Sequence, residues 1–142
     1  MVTTTKSILQ SLNEEQINAV QHLDGPMLII AGPGSGKTRV ITHRIAHLIL
    51  SGTIKTSNVL AVTFTNKAAN ELKTRISNMA IPSMNSVTAS TFHSFCARIL
   101  RTHGKYVGLD NNYTIYDSDD QLSAIKESMI LAEIDPKQAN AR

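Results

Sequence analysis

AGPGSGKTRV, at residues 31–40, decides how this chain is read. Glycines recur at Gly32, Gly34 and Gly36, and their missing side chains let successive backbone N–H groups converge on one centre. Such a concavity binds an anion. An apolar run, MLIIA at 27–31, precedes the loop and a helical pattern opens at Lys37. The anion would therefore sit at a helix N-terminus, where unpaired N–H groups and the helix dipole favour negative charge. Ala31, Gly32, Pro33, Gly34, Ser35 and Gly36 form the expected cradle of a P-loop, or Walker A motif. Lys37 is placed to reach the β- and γ-phosphates of a nucleotide such as ATP, and Thr38 to offer its hydroxyl to Mg²⁺. Ala31 stands where the strict GxxxxGK[ST] pattern has its first glycine. A small residue suffices there if the turn itself is made by Gly32 and Gly34.

Outward from the loop, NVLAVTFT (58–65) and the shorter SVTAS (86–90) join MLIIA as candidate buried strands. Their nearly continuous apolar character fits a parallel sheet covered on both faces. Between them, residues 37–50 carry Val40, Ile41, Ile45, Leu48 and Ile49 at helical spacing, and residues 67–79 carry Ala68, Leu72 and Ile76. The pattern is βαβαβ, an α/β fold. A third helix is expected over 91–103, ended by Gly104, with Phe92, Phe95 and Ile99 as core positions and Cys96 a buried small hydrophobe. YTIYD (113–117) reads as a short extended piece. Ser118-x-x-Gln121 is a capping box for a last helix running to about Ile134, and residues 135–142 are too polar and short to assign.

Composition narrows the function classes. Across 142 residues, 42% are hydrophobic and 18% charged, which excludes a disordered tail or a fibre. No apolar run approaches the ~20 residues that span a bilayer, and the opening residues lack a secretory pattern, so the expected setting is cytoplasmic, with no membrane partner. A single cysteine forms no internal disulfide. The net charge of +3 is uneven: residues 1–109 hold eleven lysines and arginines against four acids, whereas residues 110–142 hold three against seven. A basic body suits a polyanionic partner, and the reversal near Asp110 suggests a second subdomain.

Three further stretches resemble one family. LNEEQ (12–16), AVTFTNKAANELKTRI (61–76) and TFHSFCARILR (91–101) look like the Q motif and motifs Ia and Ib of the UvrD/Rep/PcrA-like superfamily 1 DNA helicases. With the phosphate loop they cover most of residues 8–105 in the family's order. YTIYDSDDQL resembles the start of the helical subdomain that the family inserts into its first motor domain. The resemblance implies a P-loop NTPase of α/β class: part of a RecA-like parallel sheet flanked by helices over residues 1–109, then the beginning of the inserted helical subdomain over 110–142.

Roles follow position by position. The family's glutamine bonds the adenine edge, which puts Gln16 there; Asn13-x-x-Gln16 also has the spacing of a capping box, and Asn13 can cap the same helix. Arg39 resembles the arginine that lies beside the base, against an alternative as a solvated helix residue. Phe64, Thr65 and Asn66, and Thr91 and His93, fall where the family meets single-stranded DNA. Phe64 could instead close the core, Thr65 cap the next helix, and His93 serve as a cap or core residue.

A P-loop motor also needs an acidic strand end to hold Mg²⁺ and a group that positions the attacking water. Only Asp117, Asp119 and Asp120 follow an apolar run, and their place at a helix start favours capping over metal binding. The expectation is an N-terminal fragment of an ATP-dependent, single-strand-translocating helicase of DNA repair or replication. Its partners would be ATP, Mg²⁺, single-stranded DNA, duplex junctions and the remainder of the polypeptide. A helicase-nuclease subunit of the same superfamily and a stand-alone nucleotide-binding module are the alternatives; a small-molecule kinase would share only the phosphate loop.

Overall fold

The computed structural model describes residues 4–79, 81 and 84–134. In chain order its elements are α1 (Thr5–Leu9), α2 (Glu14–Gln21), α3 (Lys37–Leu50), β1 (Leu60–Thr63), α4 (Asn66–Ser77), β2 (Thr88–Thr91), α5 (Phe92–His103) and α6 (Ser118–Leu131). Short 3-10 turns lie at Thr56–Asn58, Met84–Ser86 and Gly104–Val107. Residues 135–142, unassigned from sequence, lie outside the described residues. The chain divides into two compact units, Met1–Ala97 and Arg98–Arg142.

The first unit is a mixed α/β structure built on a two-stranded parallel sheet. β1 and β2 run in register from Leu60 opposite Thr88 to Thr63 opposite Thr91, with α4 as the crossover between them. Parallel neighbours require such a connection. α4 buries Ala69, Leu72 and Ile76 at i, i+3 and i+7 against the strands and α3. Ala68, expected on that face, is only half-buried. α3 has the bounds expected of it and buries Val40, Ile45 and Ala46, while Ile41 turns outward. Thr42 is also buried; its hydroxyl donates to the carbonyls of Thr38 (3.1 Å) and Arg39 (2.9 Å), which offsets its desolvation. Ile8 of α1 joins Ile45, Ala61, Leu72 and Ile76 in the main core, and Leu12, Val20 and Val40 form a second cluster that seals α2 onto α3.

Two expectations about the sheet fail. Residues 27–31 form no strand: Leu28 and Ile30 are 84% and 90% exposed, against 36% and 40% for Met27 and Ile29. The period-two alternation of a strand survives, but no described residue supplies the ladder of hydrogen bonds that defines one. Nor is the sheet covered on both faces. Ala61 and Ala89 are buried, whereas Leu60 and Val62 are half exposed.

In the second unit, α6 is capped one residue earlier than expected. Asp117 Oδ1 accepts from the N–H groups of Asp119 and Asp120 (both 2.9 Å), and Asp120 Oδ2 accepts from the Asp117 N–H at 3.3 Å. The box is Asp117 with Asp120, not Ser118 with Gln121. A carboxylate at the cap gains from the helix dipole where a hydroxyl does not, and that decides between two overlapping registers. The helix stops at Leu131, short of Ile134, and Glu133 takes a φ of 58°. Residues 113–117 form no strand. The Arg101 guanidinium lies 5.3 Å from the centroid of the Tyr113 ring, a cation–π contact.

α5 buries none of its side chains fully. Phe92 and Ile99, expected in the core, are 62% and 41% exposed, and Phe95 and Cys96 are half-buried. The apolar spacing correctly marks a helix, whose face the described residues cover only in part. No helix among them is long and apolar enough to cross a membrane.

Candidate functional site

The glycine loop takes its shape from two residues. Gly34 and Gly36 adopt φ of 76° and 84°, the left-handed region that a Cβ makes costly. Gly32 does not, and a Cβ there would meet open space, so the turn is made by Gly34 and Gly36 and not by Gly32. The Gly32 carbonyl is nonetheless the hub of the loop. It accepts from Ser35 N–H (3.4 Å), Ser35 Oγ (2.8 Å) and Lys37 Nζ (2.7 Å). Lys37 Nζ also donates to the Ala31 carbonyl at 3.2 Å. Ala31 contributes its carbonyl at ordinary φ, a backbone conformation that does not require glycine. Pro33 is exposed at the tip. Gly36 is the N-cap of α3 and brings no capping side chain, so the first-turn N–H groups of this helix face the loop without one.

Gln16 meets the loop from α2. Its backbone N–H donates to Asn13 Oδ1 (2.8 Å) and its own Oε1 accepts from Asn13 N–H (3.2 Å), the capping box anticipated from spacing. Its amide nitrogen then donates to the Ser35 carbonyl at 3.1 Å, tying α2 to the loop across nineteen positions of sequence. Between them opens a cleft of about 260 Å³. Ala19, Ile29, Ile30 and Val40 give it apolar walls, Asn13 and Gln16 its amides, Glu15 its carboxylate and Lys37 its ammonium. Apolar walls with a few polar groups are the usual make-up of a small-molecule site.

Two expected members stand elsewhere. Thr38 lines a separate cavity of about 120 Å³ between α3, β1 and α4, shared with Thr63 and Glu71. Arg39 is exposed and does not line the cleft; its carbonyl accepts from Thr42 Oγ1 and its oxygen lies 2.8 Å from His43 Nδ1. Burial holds the His43 imidazole below its ordinary pKa, with the Arg39 charge acting in the same sense and the bond to the Arg39 carbonyl opposing both. Among the described residues no cluster of three or more His, Cys, Asp or Glu side chains is placed to hold a metal. Asp117 and Asp120 form the capping box of α6, and Asp119 lies in its first turn. A lone Thr38 hydroxyl is not a Mg²⁺ site by itself; it fits as one ligand to an ion carried in on phosphates.

The second set of residues gathers at one sheet edge. Because Thr63 pairs with Thr91, the chain leaves β1 and β2 at the same level, at their C-terminal ends. Phe64, the residue after Thr63, is 93% exposed, so it does not close the core. Thr65 caps α4, its Oγ1 accepting from the Ala68 N–H at 3.2 Å, and Asn66 is the exposed first residue of that helix. Thr91 is buried, its hydroxyl accepting from the Ser94 N–H (3.1 Å) and donating to Ser94 Oγ (2.8 Å), while His93 is exposed and not in the core. Phe92 belongs to this edge too. The signal was present in sequence: each strand ends in a threonine that a phenylalanine follows.

The family described as the UvrD/REP helicase N-terminal domain matches residues 12–142, and the chain belongs to it. Among relatives, the ATP-dependent DNA helicase PcrA of Bacillus subtilis is 46% identical over 138 residues, 97% of this chain and 19% of that protein. A probable DNA helicase II homolog of Mycoplasma capricolum is 52% identical over 136 residues, 92% of this chain and 19% of the relative. The PcrA of Staphylococcus epidermidis is 45% identical over 136 residues. The chain thus spans about a fifth of the length of the relatives it matches, corresponding to their N-terminal part.

Proposed function

We propose that this chain is the nucleotide-facing portion of an ATP-dependent, single-strand-translocating DNA helicase that works in the cytoplasm in DNA repair or replication. Residues 1–109 are read as the first part of a RecA-like motor domain and 110–142 as the start of its inserted helical subdomain. The observation that carries the reading is the cleft between α2 and the glycine loop, where the Gln16 amide and the Lys37 ammonium line one apolar-walled space. ATP enters with its base against Ile29, Ile30 and Val40 and its edge toward Gln16. Its phosphates lie in the cradle of Gly32 to Gly36, where Lys37 exchanges the Ala31 and Gly32 carbonyls for phosphate oxygens. Thr38 would be one ligand of the accompanying Mg²⁺, which neutralises charge on the phosphates. Arg39 is assigned to the outer side of the base, where an exposed guanidinium can swing over it.

Single-stranded DNA, leading to a duplex junction, runs along the C-terminal edge of the sheet. Phe64 offers a face to a base, Asn66 and His93 polar groups to the backbone, and Thr65 and Thr91 hold the two helix starts that present them. Among the described residues no acid cluster is placed to complete hydrolysis, and the chain is expected to bind nucleotide without turning it over. A phosphate-release assay on protein freed of contaminating ATPase tests this. Negligible release, with or without single strands, is expected; DNA-stimulated release abolished by Lys37→Ala would contradict it.

A further inference from the structure

The far end of α2 is held as firmly as the end that carries Gln16. A helix leaves its last carbonyls without intrahelical partners. In α2 the Asn18 carbonyl is taken by the His22 N–H at 3.1 Å, which leaves those of Ala19, Val20, Gln21 and the cap residue His22. Two of these are met by one side chain from α3: Arg44 Nη1 donates to the Ala19 carbonyl at 2.9 Å and to the His22 carbonyl. The charge is also of the right sign for a helix C-terminus. Between the two ends, Val20 is fully buried and packs with Val40 and Leu12. α2 is therefore held at three levels: Gln16 on the Ser35 carbonyl of the loop, and Val20 on Val40 and the Arg44 clasp on α3.

This matters for the cleft because Gln16 and Ala19, one turn apart on α2, both line it. The wall that carries Gln16 stops at the residue whose carbonyl Arg44 holds. Gln16 Nε2 also lies close to Gly36, where an added Cβ would stand 2.9 Å from it. A helix that slid or tilted would stretch the 3.1 Å bond from Gln16 to the Ser35 carbonyl.

We propose that Arg44 is a positioning residue for nucleotide recognition: by clasping the C-terminal carbonyls of α2 it fixes the reach of Gln16 toward the base and the phosphate loop. The inference rests on the adenine-nucleotide reading of the cleft. Arg44 touches no nucleotide; it acts through α2. A lysine keeps the charge but replaces the forked guanidinium with a single ammonium on a longer, freer stem, so Arg44→Lys loosens the clasp while preserving electrostatics.

The test is a double-mutant cycle on the 142-residue chain with Gln16→Ala, Arg44→Lys and the pair. ATP and GTP affinities are read by calorimetry and the melting temperature is taken in parallel. Arg44→Lys is expected to weaken ATP binding by about tenfold, the scale of one hydrogen bond, and to narrow the preference for ATP over GTP. In the Gln16→Ala background the same change should have almost no further effect. Parent-like ATP affinity in Arg44→Lys, with or without a lower melting temperature, would make the clasp merely structural and overturn the proposal. So would an equal loss in both backgrounds, because Arg44 would then not act through Gln16. If Gln16→Ala itself leaves affinity and discrimination unchanged, the adenine reading falls and this inference with it; a Gln16 effect without an Arg44 effect removes the Arg44 role alone.

Discussion

Thr63 and Thr91 face each other across the parallel pair β1–β2, and each is followed by an exposed phenylalanine, Phe64 or Phe92. Adjacent strands lie ~4.8 Å apart, so two aromatic rings leave the sheet at one level.

Phe64→Ala should weaken binding of a fluorescent single-stranded oligonucleotide by about tenfold, the low end of ~1–3 kcal/mol per stacked base, while leaving the melting temperature nearly unchanged. Phe92→Ala should act in the same direction and less strongly, being the less exposed of the two. Binding overall should weaken steeply with salt, with a slope of about −0.7 per phosphate contact. Unchanged affinity together with a melting temperature lowered by several degrees in both variants would return these rings to the core.

Gly36→Ala tests the fit between α2 and the loop. An L-residue in the left-handed region costs ~1–2 kcal/mol, and the new methyl would press on the Gln16 amide 2.9 Å away. Lower stability and weaker ATP binding should appear together. Gly32→Ala, with open space at its Cβ and ordinary φ, should be nearly silent in stability by the same thermal melts.

His43 gives the fold a mild acid sensitivity. Its folded pKa lies below the ordinary 6.5, so between the two values the unfolded chain binds more protons than the folded one. Stability from this group is fully present above about 6.5 and is lost as pH falls below that toward the folded value. His43→Gln should flatten the melting temperature over that acid range relative to the parent. An identical pH profile in both proteins would exclude His43 as the source.

What could be read from residue types was whatever depends on local spacing. The span of α3 follows from its apolar positions and from the Gly36 and Gly52 that bracket it, and the Asn13–Gln16 box from two side chains three apart. Residues 27–31 misled because an apolar run suggests a buried strand without naming its partner, and no described residue pairs with it. The cap of α6 misled because Asp117/Asp120 and Ser118/Gln121 are both valid boxes, one residue out of phase. Arg44 was invisible for a different reason: its partners are backbone carbonyls of α2, which carry no residue-type signature. Phe92 was assigned to the core on helical spacing, which marks an apolar face without saying what covers it.

The central claim is that the cleft between α2 and the glycine loop is an adenine-nucleotide site with Lys37 at its phosphate end. Calorimetric titration of the 142-residue chain with ATP, beside Lys37→Ala, tests it most directly. Replacing a charged donor by a methyl should weaken ATP binding by about 10- to 100-fold, since hydrogen bonds to charged groups contribute roughly 1.5–3 kcal/mol, and should leave single-strand affinity unchanged. Equal ATP affinity in parent and Lys37→Ala, or no binding by a folded parent, would contradict the account.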